Sequence, residues 1–336
     1  MAFLFEYGLF LAKALTLVIA VVAVIAIAVG LQDKGKHKKG EIVIDDLSHD
    51  NNDLKDAFLS QTLSKKELKE KEKADKQAAK KAEQEAPKGK LFVIDFNGSV
   101  DAHEVNALAK EINAVLLLAD KTKDEVLVRL ESGGGVVHGY GLGASQLNRL
   151  KEKQIPLTIA VDKVAASGGY MMACVADKIV AAPFAILGSI GVIAQIPNFN
   201  KVLKKHDVEF EQITAGEYKR TLTMFGENTD SGREKFKQDI EQVHHLFREH
   251  VLTARPSLNI EKVATGETWF GSDALELGLV DELKTSDDLL LETDKQVYKV
   301  SFKTKKNLAD KFAIGLSAVS DKVMAKLINK SHDLYH

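Results

Sequence analysis

Hydrophobic and polar positions divide the chain into four stretches. Residues 14–31 are apolar and uncharged throughout, and at about 1.5 Å per residue a helix of that length spans the hydrocarbon core of a bilayer. That pattern predicts a transmembrane anchor over 1–31. A cleaved leader is the competing reading because Ala26-Ile-Ala28 resembles a cleavage site, but the preceding region is poor in basic residues and the apolar run continues past it. Residues 32–90 have no apolar face wide enough for a core, and 64–90 is rich in Lys, Glu, Ala and Gln with opposite charges at helical spacing. A charged, partly helical tether is expected there, ending at Pro87.

From 91 the pattern changes. Apolar runs at 91–96, 125–130 and 157–161 read as buried strands, and helical periodicity fills 102–119, 138–152 and 167–176 between and after them. Alternating strands and helices of these lengths predict an α/β fold with right-handed crossovers and a mostly parallel sheet, whose sites gather at the carboxyl ends of the strands. Residues 179–197 read as a pair of core strands, 209–214 as a further strand and 229–254 as a long amphipathic helix. This domain is placed at 91–300. A last amphipathic helix, with lysines around its apolar face, is expected within 301–336, positioned to pack on the domain, a partner subunit or a membrane surface.

Charge changes this picture little, because 46 Lys and Arg against 48 Asp and Glu leave a formal net charge of −2. Basic residues crowd 34–90 and 303–330 without interleaved aromatics, so nucleic acid is not an expected partner. Lys34, Lys36, Lys38 and Lys39 follow the apolar run directly, and by the positive-inside rule they place the bulk of the chain in the cytoplasm. The single cysteine, Cys174, excludes an intrachain disulfide framework and sits in an apolar stretch that reads as core.

Candidate chemistry concentrates at Val164-Ala-Ala-Ser167-Gly168-Gly169-Tyr170, a small-residue turn that follows the strand 157–161 and opens into a helix at Tyr170. Ser167 there is either a nucleophile beside free backbone N–H groups or a helix N-cap. A serine nucleophile needs a base and donors for the oxyanion. His206, His244, His245 and His250 fall on charged or long polar helices, where solvent-facing histidine is the ordinary explanation. Lys219 follows a predicted strand, and it is either a surface lysine or a base of the kind made when burial disfavours the charged amine.

Five segments carry a resemblance that decides among these readings: Glu131-Ser-Gly-Gly-Gly135, residues 162–172, Gly188-Ser-Ile-Gly-Val192, Ala215-Gly-Glu-Tyr-Lys-Arg220, and Thr265-Gly with Gly278-Leu-Val-Asp281. In this order and over about 90–285 the chain resembles the bacterial signal peptide peptidase A family. The resemblance implies a crotonase/ClpP-like fold and a Ser-Lys dyad, with Ser167 as nucleophile, Lys219 as general base and Ser189 orienting the lysine. Gly134 and Gly168 are implied as oxyanion donors. Where the family usually has Ser-Pro-Gly-Gly, proline is replaced by Gly133, which removes a source of stiffness from that turn.

The resemblance further implies a peptide or protein substrate, assembly into a homo-oligomer, and a single-pass location in the bacterial inner membrane, with no cofactor or metal. The family commonly places this domain outside the cytoplasm, in conflict with the positive flank, which tips the expectation slightly to the cytoplasmic side. A non-proteolytic scaffold or acyl-CoA-binding enzyme on the same fold is the alternative, and it would not require the pairing of Lys219 with Ser189.

Overall fold

The computed structural model describes residues 6–11, 13, 16–17, 40–82 and 89–304. Two units emerge: 42–302, and a second composed of 1–41 with 303–336, whose described residues at its N-terminal end, 6–11, 13 and 16–17, are helical. Most of the expected anchor and all of the expected C-terminal helix from residue 305 lie outside the described residues. Among the described residues, no helix is long and apolar enough to cross a membrane.

Unit 42–302 is an α/β structure with two sheets. The larger has seven strands: β1 (Gly40–Asp46), β2 (Lys90–Asn97), β3 (Glu125–Glu131), β4 (Leu157–Val161), β6 (Lys178–Ala181), β9 (Glu282–Leu283) and β10 (Gln296–Thr304). Their order is β1-β10-β2-β3-β4-β6-β9, and the pairings from β10 through β9 are parallel. A small second sheet joins β5 (Val164–Ala166), β7 (Ile186–Gly188) and β8 (Thr268–Phe270).

Side-chain alternation explains why the large sheet is covered on both faces. Phe92, Ile94, Phe96, Val126, Val128, Leu130, Ile159 and Ile179 point into the main core, against helices Val105–Leu118 and Val137–Glu152. Leu91, Val93, Leu127, Ala160, Val180 and Val297 point the other way, onto Leu47, Leu289 and Leu290. Fully burying such a side chain contributes about 1.5–3 kcal/mol, so strands apolar on both faces are held firmly in the centre.

Part of the expected tether belongs to this architecture. Gly40–Asp46 is the edge strand β1, and the helix Leu47–Thr62 that follows lays Leu47 on the second core. The Ser48 hydroxyl accepts the Val297 N–H at 2.7 Å, tying that helix to β10. Three consecutive β-branched residues, Ile42, Val43 and Ile44, flanked by acidic ones, sufficed for a strand because β10 offers a neighbouring edge. Conversely, residues 208–217, expected to contain a strand, form none, and Val208, Phe210 and Ile213 are exposed. They are part of neither sheet.

The segment from Gly278 to Asp281 is structural. Gly278 has φ +80°, Arg255 donates to the Gly278 carbonyl (2.9 Å) and to Asp281 (2.6 Å), and Asp281 accepts the Ile179 N–H at 2.7 Å. This clamps the end of the long helix Asp230–Ala254 to β6.

Asp95 on β2 receives Arg129 through two bonds of 2.6 and 2.9 Å and Lys299 at 2.6 Å. Desolvation works to raise its pKa, but the bonds from Arg129 and Lys299 outweigh it and hold the carboxyl below its ordinary value. A depressed carboxyl stabilises the fold above the unfolded-state value, and that contribution is lost as pH falls through the folded one. The wild type is therefore expected to lose more stability than Asp95→Asn between about pH 6 and about pH 3 in denaturant titrations. Equal losses would show that the cluster carries none of the acid sensitivity.

Candidate active site

Ser167 stands between β5 and the short helix Gly168–Ala173. Its φ and ψ are 51° and −117°, a strained conformation for a residue with a Cβ. Two backbone bonds hold it there: the Ser167 N–H donates to the Gly188 carbonyl at 2.8 Å, and the Ser167 carbonyl accepts the Met171 N–H at 2.9 Å. Although it occupies the N-cap position, its side chain makes no capping bond. The helix-cap reading of Ser167 therefore fails, and the hydroxyl is left uncommitted.

The hydroxyl faces a cavity of about 500 Å³. Ser167, Gly168 and Ser189 line it together with Gly135, and its apolar wall comes from Met171, Val192 and the Ile240, Val243 and Phe247 side of the long helix. Ser189, also at positive φ (50°), is pinned through its N–H to the Glu267 carbonyl at 2.6 Å. The N–H groups of Gly135 and Gly168 donate to no group among the described residues. Gly168 N–H is one of the donors a helix start leaves free.

The glycines here are close-approach positions. A Cβ on Gly134 would stand 2.6 Å from the Gly168 nitrogen and 2.8 Å from the Ser167 Cβ, and one on Gly168 would stand 2.4 Å from the Tyr140 ring. Gly134 thus presses against the nucleophile candidate without lining the cavity, and its N–H donates to the Ser132 hydroxyl at 3.1 Å.

Lys219 is placed differently. It is exposed, does not line the cavity, and its Nζ has no hydrogen-bond or ion-pair partner among the described residues. Its N–H donates to the Gly216 carbonyl at 3.2 Å, in a stretch without regular structure.

The histidines also depart from expectation. His244 lines the cavity, with Nε2 3.2 Å from the Ile190 carbonyl, and His250 Nε2 lies 3.0 Å from the Met171 carbonyl. Both face inward because they share the apolar side of the helix with Phe247 and Val251, whereas His245 is exposed and pairs with Glu249. The spacing of Ile240, His244, Phe247 and Val251 carried that signal. His206 is exposed at the end of helix Asn200–Lys205. Burial pushes the Cys174 thiol up to about 12, which removes it as a rival nucleophile.

An uncommitted, strained serine beside free backbone donors, at the mouth of an apolar cavity in a parallel α/β fold, is the arrangement that serves acyl transfer in serine hydrolases. The chain belongs to peptidase family S49 and is a serine protease: residues 2–147 match the family's N-terminal part and residues 149–300 the peptidase part. It is 52% identical over 321 residues to the probable protease SohB of Haemophilus influenzae, covering 91% of each chain. With the probable protease SohB of Buchnera aphidicola subsp. Schlechtendalia chinensis it shares 50% identity over 305 residues, 87% of this chain and 99% of that one. Among solved structures, a mutant of the 1510-N membrane-bound stomatin-specific protease gives a TM-score of 0.43 at 13% identity, covering 64% of this chain and 98% of that one.

Packing around Ser167 makes a clear contrast between neighbouring glycines. Gly168→Ala is expected to cost about 1–3 kcal/mol through overpacking on Tyr140. Gly133→Ala, whose added Cβ meets nothing within 4 Å, should stay close to wild type. Thermal denaturation of the two variants checks this, and equal melting temperatures would contradict the packing account.

Proposed function

We propose that the protein is a membrane-anchored endopeptidase of crotonase/ClpP-like fold that cleaves signal-peptide remnants or misfolded envelope proteins through an acyl-enzyme on Ser167. The observation that carries this reading is the Ser167 hydroxyl, strained, uncapped and turned to the cavity. Lys219 takes the serine proton, Ser189 orients the lysine, and Gly168 with Gly134 donates to the oxyanion. Membership of peptidase family S49 supports hydrolysis over the scaffold or acyl-CoA alternative.

In this reading the stretch carrying Lys219 closes over the cavity when protomers assemble. Support comes from the apolar surface that the single chain leaves open. Ile193 is 79% exposed and Ile213 89%, and Phe199 and Phe210 each pack against Phe225 with much of their surface open. Patches of this kind on a soluble domain mark surfaces that another molecule covers. Residues 14–31 supply the anchor of a single-pass inner-membrane protein, and the lysines after them favour a cytoplasmic domain.

The test is hydrolysis of a fluorogenic peptide by the full chain in detergent. Ser167→Ala and Lys219→Met are each expected to lower turnover by roughly three orders of magnitude or more, the double variant falling little further because the pair acts as a unit. Ser189→Ala should weaken it by a smaller factor. Loss of activity in His244→Ala or His206→Ala with retention in Lys219→Met would replace the dyad by a Ser-His pair.

Sidedness is checked separately. With Cys174→Ala and a single engineered surface cysteine, an impermeant thiol reagent should leave the domain unlabelled in intact cells. Labelling would place it outside the cytoplasm.

A further inference from the structure

The buried hydrogen bonds beneath the glycine turn run in one direction. The Gly134 N–H donates to the Ser132 hydroxyl at 3.1 Å, that hydroxyl meets the Tyr140 hydroxyl at 2.5 Å, and Tyr140 donates to the Ser99 carbonyl at 2.8 Å. Tyr140 spends its proton on the Ser99 carbonyl, and the Ser132 hydroxyl has Tyr140 and the Gly98 carbonyl (3.3 Å) to donate to, so a Ser132 lone pair is kept for the Gly134 N–H. Ser132 is 2% exposed and Tyr140 0%, so this N–H is directed into the protein, while Gly135 next to it lines the cavity.

The geometry points to Ser132 as a positioning residue that withholds the Gly134 N–H from the cavity in the resting protein. For Gly134 to serve the oxyanion beside Gly168, the peptide between Gly133 and Gly134 must turn, exchanging the Ser132 hydroxyl for the oxyanion. That peptide is flanked by two glycines, and an added Cβ at Gly133 would meet nothing within 4 Å, so the backbone permits the turn and space is open on the Gly133 side. This inference rests on the reading of Ser167 as the nucleophile. It adds that the hole has a resting and a working arrangement, and that one buried hydroxyl biases the choice.

The measurement compares wild type, Ser132→Ala and Tyr140→Phe in the full chain, using a fluorogenic peptide and a peptide aldehyde whose hemiacetal oxyanion reports on the donors. Ser132→Ala should raise kcat by about two- to tenfold, the weight of one hydrogen bond, and tighten aldehyde inhibition by a similar factor with KM little changed. Tyr140→Phe keeps the ring against Gly168 but releases Ser132, and should move kcat and inhibition in the same direction by less. Amide exchange at Gly134 should quicken in Ser132→Ala.

A lower or unchanged kcat in both variants, with aldehyde affinity unchanged or weaker, would overturn the inference, because a hydroxyl that merely supports the turn gives that result. Failure of the underlying reading is separate. It would appear as a Ser167→Ala variant that still hydrolyses the peptide or a wild type indifferent to the aldehyde.

Discussion

The strained backbone of Ser167 is the constraint on which the cavity depends. A residue with a Cβ at φ 51° costs on the order of 1–3 kcal/mol, and it persists only where its surroundings over-determine it. Here the Gly188 carbonyl holds the N–H and the first turn of the following helix holds the carbonyl. The three-stranded sheet exists in large part to present that Gly188 carbonyl, since β7 lies between β5 and β8 in strict register. Gly134 and Gly168 then fit around the serine with no space for side chains, and Tyr140 fills the volume behind them. Strain, sheet and glycines form one unit.

Much of this was legible from local pattern. The strands at 91–96, 125–130 and 157–161 are β2, β3 and β4, and a helix follows Ser167 as expected, though the small-residue turn before it holds a further strand, β5. Apolar runs two-sided enough for a parallel sheet, and small residues where chains must meet, leave signals within a few positions of themselves. The apolar side of the long helix is equally readable, and the stripe containing Phe247 and Val251 turns His244 and His250 inward against the ordinary expectation for histidine on a polar helix.

What stayed illegible depends on partners distant in sequence. Nothing near Gly40–Asp46 announces that an edge will be waiting for it, and its acidic neighbours made it look like tether. The bond from Gly134 to Ser132 and on to Tyr140 requires knowing that helix Val137–Glu152 returns its first turn beneath the glycines. Lys219 is exposed in a stretch without regular structure, a placement that no local pattern around it announces.

The place of β10 has a consequence for how the protein is made. Of the seven strands it is the last in sequence, yet it lies between β1 and β2, the first two. During synthesis β2 can pair with β3, and β3 with β4, as they emerge, but the other edge of β2 stays bare until residues beyond 296 have left the ribosome. Pairing across so long a separation is slow, and an apolar edge left open meanwhile invites association with other chains. The sheet is therefore closed late, once β10 has emerged, and until then the open edge of β2 is where the nascent chain is most exposed to other chains.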